Sequence, residues 1–360
     1  MEQKAPQRIV VIGAGIVGAS LAYHLSRKGA HVRLIEAGEI ASGVTGRSFA
    51  WINTTYAGAD PIAPLRGAAI EAYHRLETEL PDLQIQWTGA LSYSESAGHP
   101  AAATLLSATE VLAREPHLKN PPPCALYRAE EGALDAVQAT HALIAGAQAL
   151  GAQLLTQTRV TGFQTCNADV TGVNTTAGTF DADLIVLAAG TGTRQLTQML
   201  NASLPIDASP AIFIRYTAQP GLVRGIISSP SMEIRQSADG ALVAAEDYLG
   251  EASGNSPTDI AWHTAEAIRH ELHGVASIEP QTVAVGFRPM PVDGIPIVGF
   301  LPGIGGVYVC AMHPGVTLAA IVGRLASEEL LDRQSSAALA PCRPERFFLN
   351  SGTDNAALTR

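Results

Sequence analysis

Residues 8–36 read RIVVIGAGIVGASLAYHLSRKGAHVRLIE, and this stretch decides the fold. The β-branched apolar run over 9–12 is typical of a strand that is buried on both faces. The glycine segment 13–18 follows it and leads into a helical pattern that ends near Gly29. A second strand pattern comes next, and Glu36 stands at its end. The order strand, glycine turn, helix and strand predicts the first unit of an α/β dinucleotide-binding domain.

The spacing of the segment Gly13-Ala14-Gly15-Ile16-Val17-Gly18 gives each glycine a separate task. Gly13 permits the tight turn, Gly15 lets the backbone approach a pyrophosphate, and Gly18 lets helix and strand pack closely. The pyrophosphate would lie at the helix N-terminus, where unpaired N–H groups and the helix dipole favour negative charge. Glu36 would accept hydrogen bonds from ribose hydroxyls, and its charge argues against the 2′-phosphate of NADP. This unit alone does not distinguish FAD from NAD.

Composition excludes several other classes of function. The 360 residues carry a formal net charge of −10 without any run of Lys or Arg, so nucleic acid is not an expected partner. No apolar stretch has membrane-spanning length, and residues 1–8 do not read as a signal peptide. The four cysteines lack paired spacing, so we expect neither a disulfide framework nor a metal site. These features indicate a cytoplasmic protein, with peripheral attachment to a membrane left open.

Four separate segments of the chain together carry a family resemblance. The first is the glycine unit with its continuation ASGVTGRS at 41–48, and the second is GALD at 132–135 with the helix and strand after it. The third is ADLIVLAAG at 182–190. The fourth, GFRPMPVDGIPIVG at 286–299, is followed by the turn MHPG and a helix pattern. The sequence resembles the D-amino-acid oxidase-like flavoenzymes, which include glycine oxidase, sarcosine oxidase and D-amino-acid dehydrogenases, and the fourth segment looks like their GxRPxxxDGxPxxG signature.

The resemblance implies an α/β fold in which a Rossmann-like FAD-binding domain is interwoven with a smaller α+β substrate domain that has a mixed or antiparallel sheet. The implied division is 1–80, 132–205 and 285–345 for the FAD-binding domain, 81–131 and 206–284 for the substrate domain, and 346–360 for a C-terminal tail. Within the substrate part, strands are predicted at 211–218, 226–234 and 241–246, with a hairpin turn at Asp239-Gly240 and a helix over 258–273. A helix is also predicted over 101–114.

The resemblance also implies FAD as the cofactor. Its binding is predicted to be non-covalent, because 37–50 contains neither Cys nor His and 286–299 contains no Cys. The backbone of Val160 would contact adenine, although a plain surface strand would read the same way. For 41–48, a flexible surface loop is the alternative interpretation. The predicted cofactor-binding residues are Gly13, Ala14, Gly15, Ile16, Val17, Gly18, Glu36, Ala37, Ser42, Thr45, Arg47, Ser48, Val160, Ala189, Gly190, Arg288, His313, Gly315, Val316 and Thr317.

Two residues are the catalytic candidates. Arg288, matched to the arginine of the signature, would hold a substrate carboxylate as a bidentate pair, unless it is paired structurally within a domain interface. His313 would lie beside the flavin and, because histidine titrates near neutrality, could tune the ring or relay a proton. A histidine that only bonds nearby backbone is the alternative. The candidate partners of Arg288 at the carboxylate are Tyr56, Tyr216 and Tyr248.

The predicted function is oxidation of the C–N bond of an amino acid or related amine to an imine by hydride transfer to flavin N5. Oxygen or another electron acceptor would reoxidise the flavin, and the sequence does not choose between oxidase and dehydrogenase. One alternative is a 2-hydroxy-acid dehydrogenase with the same arginine. Another is a flavin-carrying subunit of a hetero-oligomeric amine dehydrogenase, and a homo-oligomer is equally open.

Overall fold

The computed structural model describes residues 6–54, 60–93, 103–248, 250 and 255–348. Its strands are β1 (Arg8–Ile12), β2 (His31–Ile35), β3 (Trp51–Ile52), β4 (Ile85–Gln86), β5 (Ala90–Ser92), β6 (Thr104–Ser107), β7 (Cys124–Arg128), β8 (Gly132–Leu134), β9 (Gln153–Leu155), β10 (Val160–Cys166), β11 (Asp169–Thr175), β12 (Gly178–Asp181), β13 (Leu184–Leu187), β14 (Ile206–Ala218), β15 (Ile226–Ser228), β16 (Glu233–Gln236), β17 (Leu242–Asp247), β18 (Ile278–Pro291), β19 (Ile297–Phe300) and β20 (Val307–Ala311). Its α-helices are α1 (Ile16–Arg27), α2 (Ala63–Glu79), α3 (Ala108–Arg114), α4 (Ala136–Ala149), α5 (Thr193–Gln198), α6 (Pro257–Glu271) and α7 (Gly315–Asp332).

A six-stranded sheet in the order β19-β20-β13-β1-β2-β9 forms the first half of the molecule. All its pairings are parallel except that of β19 with β20. In β1, Ile9 and Val11 face one apolar core, and Val10 and Ile12 face another. The strand is therefore buried on both faces, as its β-branched sequence predicts.

Helices cover one face of this sheet and a small sheet covers the other. α1 packs against α4 and α7, and α7 also packs against α2, so that four helices share one core. The three-stranded antiparallel sheet β10-β11-β12 contributes Val160, Val170 and Val173 to the opposite core. Of the helices within the described ranges, none has the length and apolar character needed to cross a bilayer.

The second half of the molecule is an eight-stranded sheet in the order β18-β14-β17-β16-β15-β5-β7-β6. Its pairings are antiparallel except for that of β15 with β5, so the predicted mixed or antiparallel sheet is confirmed. One face packs on α6 through an apolar core that includes Ile212 and Ile214. The other face turns Phe213, Val243 and Ala245 towards the first half of the molecule.

Two local predictions are corrected by the structure. The strand predicted over 226–234 is a hairpin of β15 and β16, because Ser229 makes hydrogen bonds to both the backbone N–H and the C=O of Met232. The helix predicted over 101–114 begins only at Ala108, because Ser107 caps it and the residues just before pair with β7 as β6. β18 runs without a break across residue 285, from the eight-stranded sheet into the GxRPxxxDGxPxxG segment. The division into domains itself stays a prediction.

Candidate functional site

A cavity of about 900 Å³ lies between the two halves of the molecule. The residues that follow β1, β2, β13 and β20 line one side of it, which is where ligands bind in open parallel sheets. Phe213, Glu233 and Ala245 of the eight-stranded sheet line the other side. Of the predicted cofactor-binding residues, the cavity brings together Gly13, Gly15, Ile16, Val17, Glu36, Ala37, Ser42, Thr45, Arg47, Ser48, Val160, Ala189, Gly190, Arg288, His313, Gly315, Val316 and Thr317.

The glycine segment forms the turn from β1 into α1. Gly13 has a φ of +109°, and a Cβ there would lie 2.5 Å from the carbonyl oxygen of Ala188. A Cβ on Gly18 would lie 1.8 Å from the carbonyl oxygen of Gly13, so Gly18 sets how closely the helix approaches the turn. Gly18 does not itself line the cavity, which agrees with a packing task. The turn therefore requires glycine at both positions and leaves the N-terminus of α1 facing the cavity.

Glu36 joins the glycine turn to the end of β2. Its carboxylate accepts hydrogen bonds from the backbone N–H of Ala14 and of Gly38, both at 2.8 Å. Ala14 is fully buried, so its contribution is this bond rather than a surface towards the cavity. A carboxylate has about four lone-pair sites. Two bonds therefore hold Glu36 in place while further acceptor capacity remains for ribose hydroxyls.

The segment after Glu36 crosses the N-terminus of α1 as a short 3₁₀ helix, Val44–Arg47. The hydroxyl of Thr45 accepts a hydrogen bond from the N–H of Ile16 at 3.2 Å. Arg47 donates from Nη1 to the carbonyl oxygens of Ser42 and Gly43, at 2.8 and 3.2 Å. This segment is therefore an ordered wall of the cavity rather than a free surface loop.

The N-terminus of α7 faces the same cavity, following Pro314. Thr317 is buried and ties this helix to the strand β3: its hydroxyl donates to the carbonyl oxygen of Trp51 at 3.1 Å and accepts from the N–H of Asn53 at 3.3 Å. Asn53 also lines the cavity and was not predicted as a site residue. Its sequence neighbourhood carries no motif, so only the fold brings it there.

Arg288 reaches the cavity from β18. Its Nη2 donates to the hydroxyl of Ser209 at 3.0 Å and to the carbonyl oxygen of Pro210 at 3.3 Å, and lies 3.4 Å from a carboxylate oxygen of Asp247. The side chain of Asp247 is 83% exposed, so this ion pair is weak. Nε of Arg288 is buried without a hydrogen-bond partner among the described residues.

Comparison with known proteins agrees with this geometry. The family of FAD dependent oxidoreductases, abbreviated DAO, matches residues 8–329. The chain belongs to this family. A glycine oxidase of Pseudomonas aeruginosa is 24% identical over 360 aligned residues, covering 94% of this chain and 98% of the relative. One of the subunits of an opine oxidase from Agrobacterium tumefaciens is 22% identical, covering 94% and 97%. The solved structure of an L-amino acid deaminase from Proteus vulgaris superposes with a TM-score of 0.85 at 18% identity, covering 96% of each chain.

The predicted resemblance and the FAD cofactor are thereby confirmed, and the protein is an FAD-dependent oxidoreductase. The residues present fit the cofactor. Gly13 and Gly18 leave no room for a Cβ, the N-termini of α1 and α7 point at one cavity, and Glu36 lies at the end of β2. In a DAO-family protein these are the groups that would hold the pyrophosphate, the flavin edge and the ribose. Within the described residues, no group of three His, Cys, Asp or Glu side chains is placed to hold a metal ion.

His313 lines the cavity as predicted, but its titration does not fall near neutrality. Burial, with smaller contributions from the charges of Arg288 and Arg66, lowers the pKa of His313 to about 4. The imidazole is therefore neutral at pH 7. This pKa does not favour a relay through an imidazolium near neutrality, whereas a neutral histidine still offers one N–H and one lone pair. The role of His313 beside the flavin stays a prediction.

The three tyrosine candidates have different outcomes. Tyr216 is fully buried in the core beneath α6, where its hydroxyl donates to the carbonyl oxygen of Ala261 at 2.7 Å. The substrate role predicted for Tyr216 is therefore wrong, because β14 turns this residue away from the cavity. Tyr248 packs half-buried against the same core and is not a lining residue. Tyr56 lies outside the described residues.

Glu233 is a cavity residue that sequence reasoning did not predict. It is the first residue of β16, and the hairpin before it was predicted as continuous strand. Burial, then the charges of Glu246 and Asp247, raise the pKa of Glu233 to about 7, against opposing contributions from Ser228 and Arg288. The Ser-Ser-Pro-Ser sequence at 228–231 is a turn signal that could have placed this residue at a strand start.

Proposed function

We propose that this protein oxidises the C–N bond of an amino acid or related amine to an imine, which water then hydrolyses. Arg288 carries the proposal. It is a cationic side chain whose buried Nε has no hydrogen-bond partner in the part of the chain that the structure describes, and it lines the same cavity as the glycine turn and the N-terminus of α7. A planar guanidinium that offers two parallel N–H groups is suited to a carboxylate. A substrate carboxylate would therefore replace the weak contact with Asp247 and orient the rest of the substrate in the cavity.

The chemistry that FAD would supply when bound is an electron sink, namely a hydride acceptor at N5 that oxygen or another acceptor would reoxidise. The protein's own residues supply position and electrostatics. The first N–H groups of α7, at Gly315–Thr317, and the helix dipole favour negative charge at the wall of the cavity that they face. The neutral imidazole of His313 does not compete with Arg288 for the carboxylate.

We propose further that FAD is bound non-covalently. Cys310 is the one cysteine among the described residues that lines the cavity, and its thiol is buried, which raises its pKa far above neutrality. A protonated thiol is a poor nucleophile towards the flavin. Acid precipitation of the purified protein should release all the FAD into the supernatant. Yellow colour that stays with the pellet would contradict this.

The experiment that tests the reaction is anaerobic titration of the flavin absorption bands. The flavin bands of the purified protein should bleach when amino acids or N-alkyl amino acids are added. The flavin should remain oxidised when 2-hydroxy acids of the same carbon skeleton are added. Bleaching by hydroxy acids alone would replace amine oxidation with the alternative that shares the arginine, a 2-hydroxy-acid dehydrogenase. Aerobic turnover that produces hydrogen peroxide would distinguish an oxidase from a dehydrogenase.

A second candidate is a flavin-carrying subunit of a hetero-oligomeric amine dehydrogenase. The similarity to an opine oxidase subunit along 94% of this chain favours it. Protein that holds FAD but is not reduced by any amino compound, and that becomes reducible only in a complex with a partner protein, would support this candidate over the self-sufficient enzyme.

A further inference from the structure

Glu233 lies in the cavity wall that the eight-stranded sheet forms, across from the predicted cofactor-binding residues. The register of β16 on β17 pairs Ile234 with Ala244, so Glu233 lies beside Ala245, and both line the cavity with Phe213. The neighbours Ile234 and Ala244 point to the opposite face, into the core beneath α6. Glu233 is therefore a carboxylate on the cavity face of the sheet, next to apolar surface.

The same wall holds the arginine that is proposed to bind the substrate carboxylate. Arg288 contacts Asp247, which is two residues along β17 from Ala245. Adjacent strands lie about 4.8 Å apart and residues rise about 3.3 Å each, so the backbones of Glu233 and Asp247 are roughly 8 Å apart. A substrate of amino-acid size, held by its carboxylate at Arg288, would thus extend within reach of Glu233.

The charges around Glu233 leave it available for a cation. Glu246 and Asp247 on β17 are like charges, and Ser228 on β15 is the neighbouring hydroxyl across the hairpin. Glu246 turns to the far face, where it accepts a hydrogen bond from Thr264 of α6 at 3.0 Å. Asp247 pairs with Arg288, whose charge also acts on Glu233. The charges that act on Glu233 are therefore two carboxylates, Glu246 and Asp247, against the guanidinium of Arg288, and burial penalises the ionised form of Glu233 until a further cation joins it.

We propose that Glu233 binds a cationic nitrogen of the substrate that is separate from the amine being oxidised, so that the enzyme prefers basic amino acids. This inference rests on the proposed function, because it uses the substrate carboxylate at Arg288 as the anchor. Phe213 and Ala245 provide apolar surface for the methylene chain between the two polar ends. Acidic side chains would be repelled by the same carboxylate, and neutral aliphatic side chains would leave it without a partner.

The test compares substrates that match in length and differ in the terminal amine: lysine with norleucine, and ornithine with norvaline, each as both enantiomers. The readout is kcat/KM for anaerobic flavin reduction by the holoenzyme. We expect the basic member of the reactive pair to exceed the neutral one roughly 10- to 100-fold, the factor of a hydrogen bond to a charged group. Glu233→Gln should bring this ratio close to one while the neutral substrate changes by no more than about threefold, since it lacks that bond.

Two variants control for indirect effects. Glu246→Gln removes a neighbouring carboxylate from the opposite face of the sheet and should keep the preference. Glu233→Asp keeps a carboxylate and should restore part of the preference, with bound FAD showing that each variant is folded. A wild-type ratio near one, or a ratio that survives in Glu233→Gln, would overturn the inference and leave amine oxidation standing. Failure of every amino compound to bleach the flavin would instead overturn the proposed function and this inference with it.

Discussion

The two ends of the cavity are formed by different kinds of groups. The glycine end, which we define as Gly13–Gly18 with Glu36, is formed by the backbone of one turn and the carboxylate of Glu36, all from one continuous stretch of chain. The arginine end, defined as Arg288, His313 and Glu233, is formed by side chains from separate parts of the sequence. Its supporting groups Ser209 and Asp247 come from two further strands. A local motif can specify the first end completely, whereas only the folded sheet assembles the second.

The largest expected effect is at the glycine end. Gly13→Ala forces a Cβ against the carbonyl oxygen of Ala188 at a φ that L-residues avoid. The combined cost is about 3 kcal/mol, and the turn that forms the predicted pyrophosphate site must shift to relieve it, so FAD affinity should fall on the order of 100-fold or more. The measurement is the flavin-to-protein ratio after gel filtration, together with the melting temperature. Gly67→Ala is the control, because a Cβ there meets no atom within 4 Å; a Gly13→Ala protein with a full complement of FAD would refute the assignment.

Arg288→Ala should impair the function of the arginine end and leave that of the glycine end intact. The pair in question is the one that Arg288 is proposed to form with the substrate carboxylate. Removing one partner of such a buried charged pair costs about 2–5 kcal/mol, so kcat/KM for flavin reduction should fall on the order of 100-fold or more. FAD content should stay near wild type. Arg215→Ala is the matched control, because Arg215 lies on the neighbouring strand β14 and pairs with the exposed Asp239. Loss of FAD with unchanged substrate kinetics would reassign Arg288 to the cofactor.

The proposed role of Glu233 predicts a pH dependence confined to the arginine end. The pKa of Glu233 is raised to about 7 by burial and by neighbouring carboxylates, and only the ionised form attracts a cation. The kcat/KM ratio of the basic to the neutral substrate should therefore rise with pH through about 7 and decline below it. The ratio cancels titrations that both substrates share, and His313, with a pKa of about 4, contributes nothing in this range. Glu233→Gln should give a flat ratio between about pH 6 and 9, on either side of the Glu233 titration; a slope that persists there would assign the titration to another group.

The same difference between the two ends determines what the sequence could predict. The βαβ unit, the FAD signature around Arg288 and the turn before α7 are local patterns, and the structure brings nearly all their residues to one cavity. Glu233 and Asn53 have no local signal, because their place depends on the register of β16 and on the contact of β3 with α7. Tyr216 was misplaced for a related reason. Alternation along β14 sends every second residue away from the cavity, and the phase of that alternation is not readable from the sequence alone.

Tyr216→Phe has the smallest expected effect, and it tests which face of β14 carries Tyr216. The hydroxyl lost is the donor to the carbonyl oxygen of Ala261 in α6, 2.7 Å away and buried. Loss of one such bond costs about 1 kcal/mol, which lowers the melting temperature of a chain of this size by roughly 1 °C. The flavin spectrum and the kcat/KM for flavin reduction should stay within about twofold of wild type, because the ring remains in the core and no cavity group changes. A large loss of substrate affinity with unchanged stability would instead place Tyr216 at the arginine end. It would also reverse the face of β14 inferred from its contact with α6.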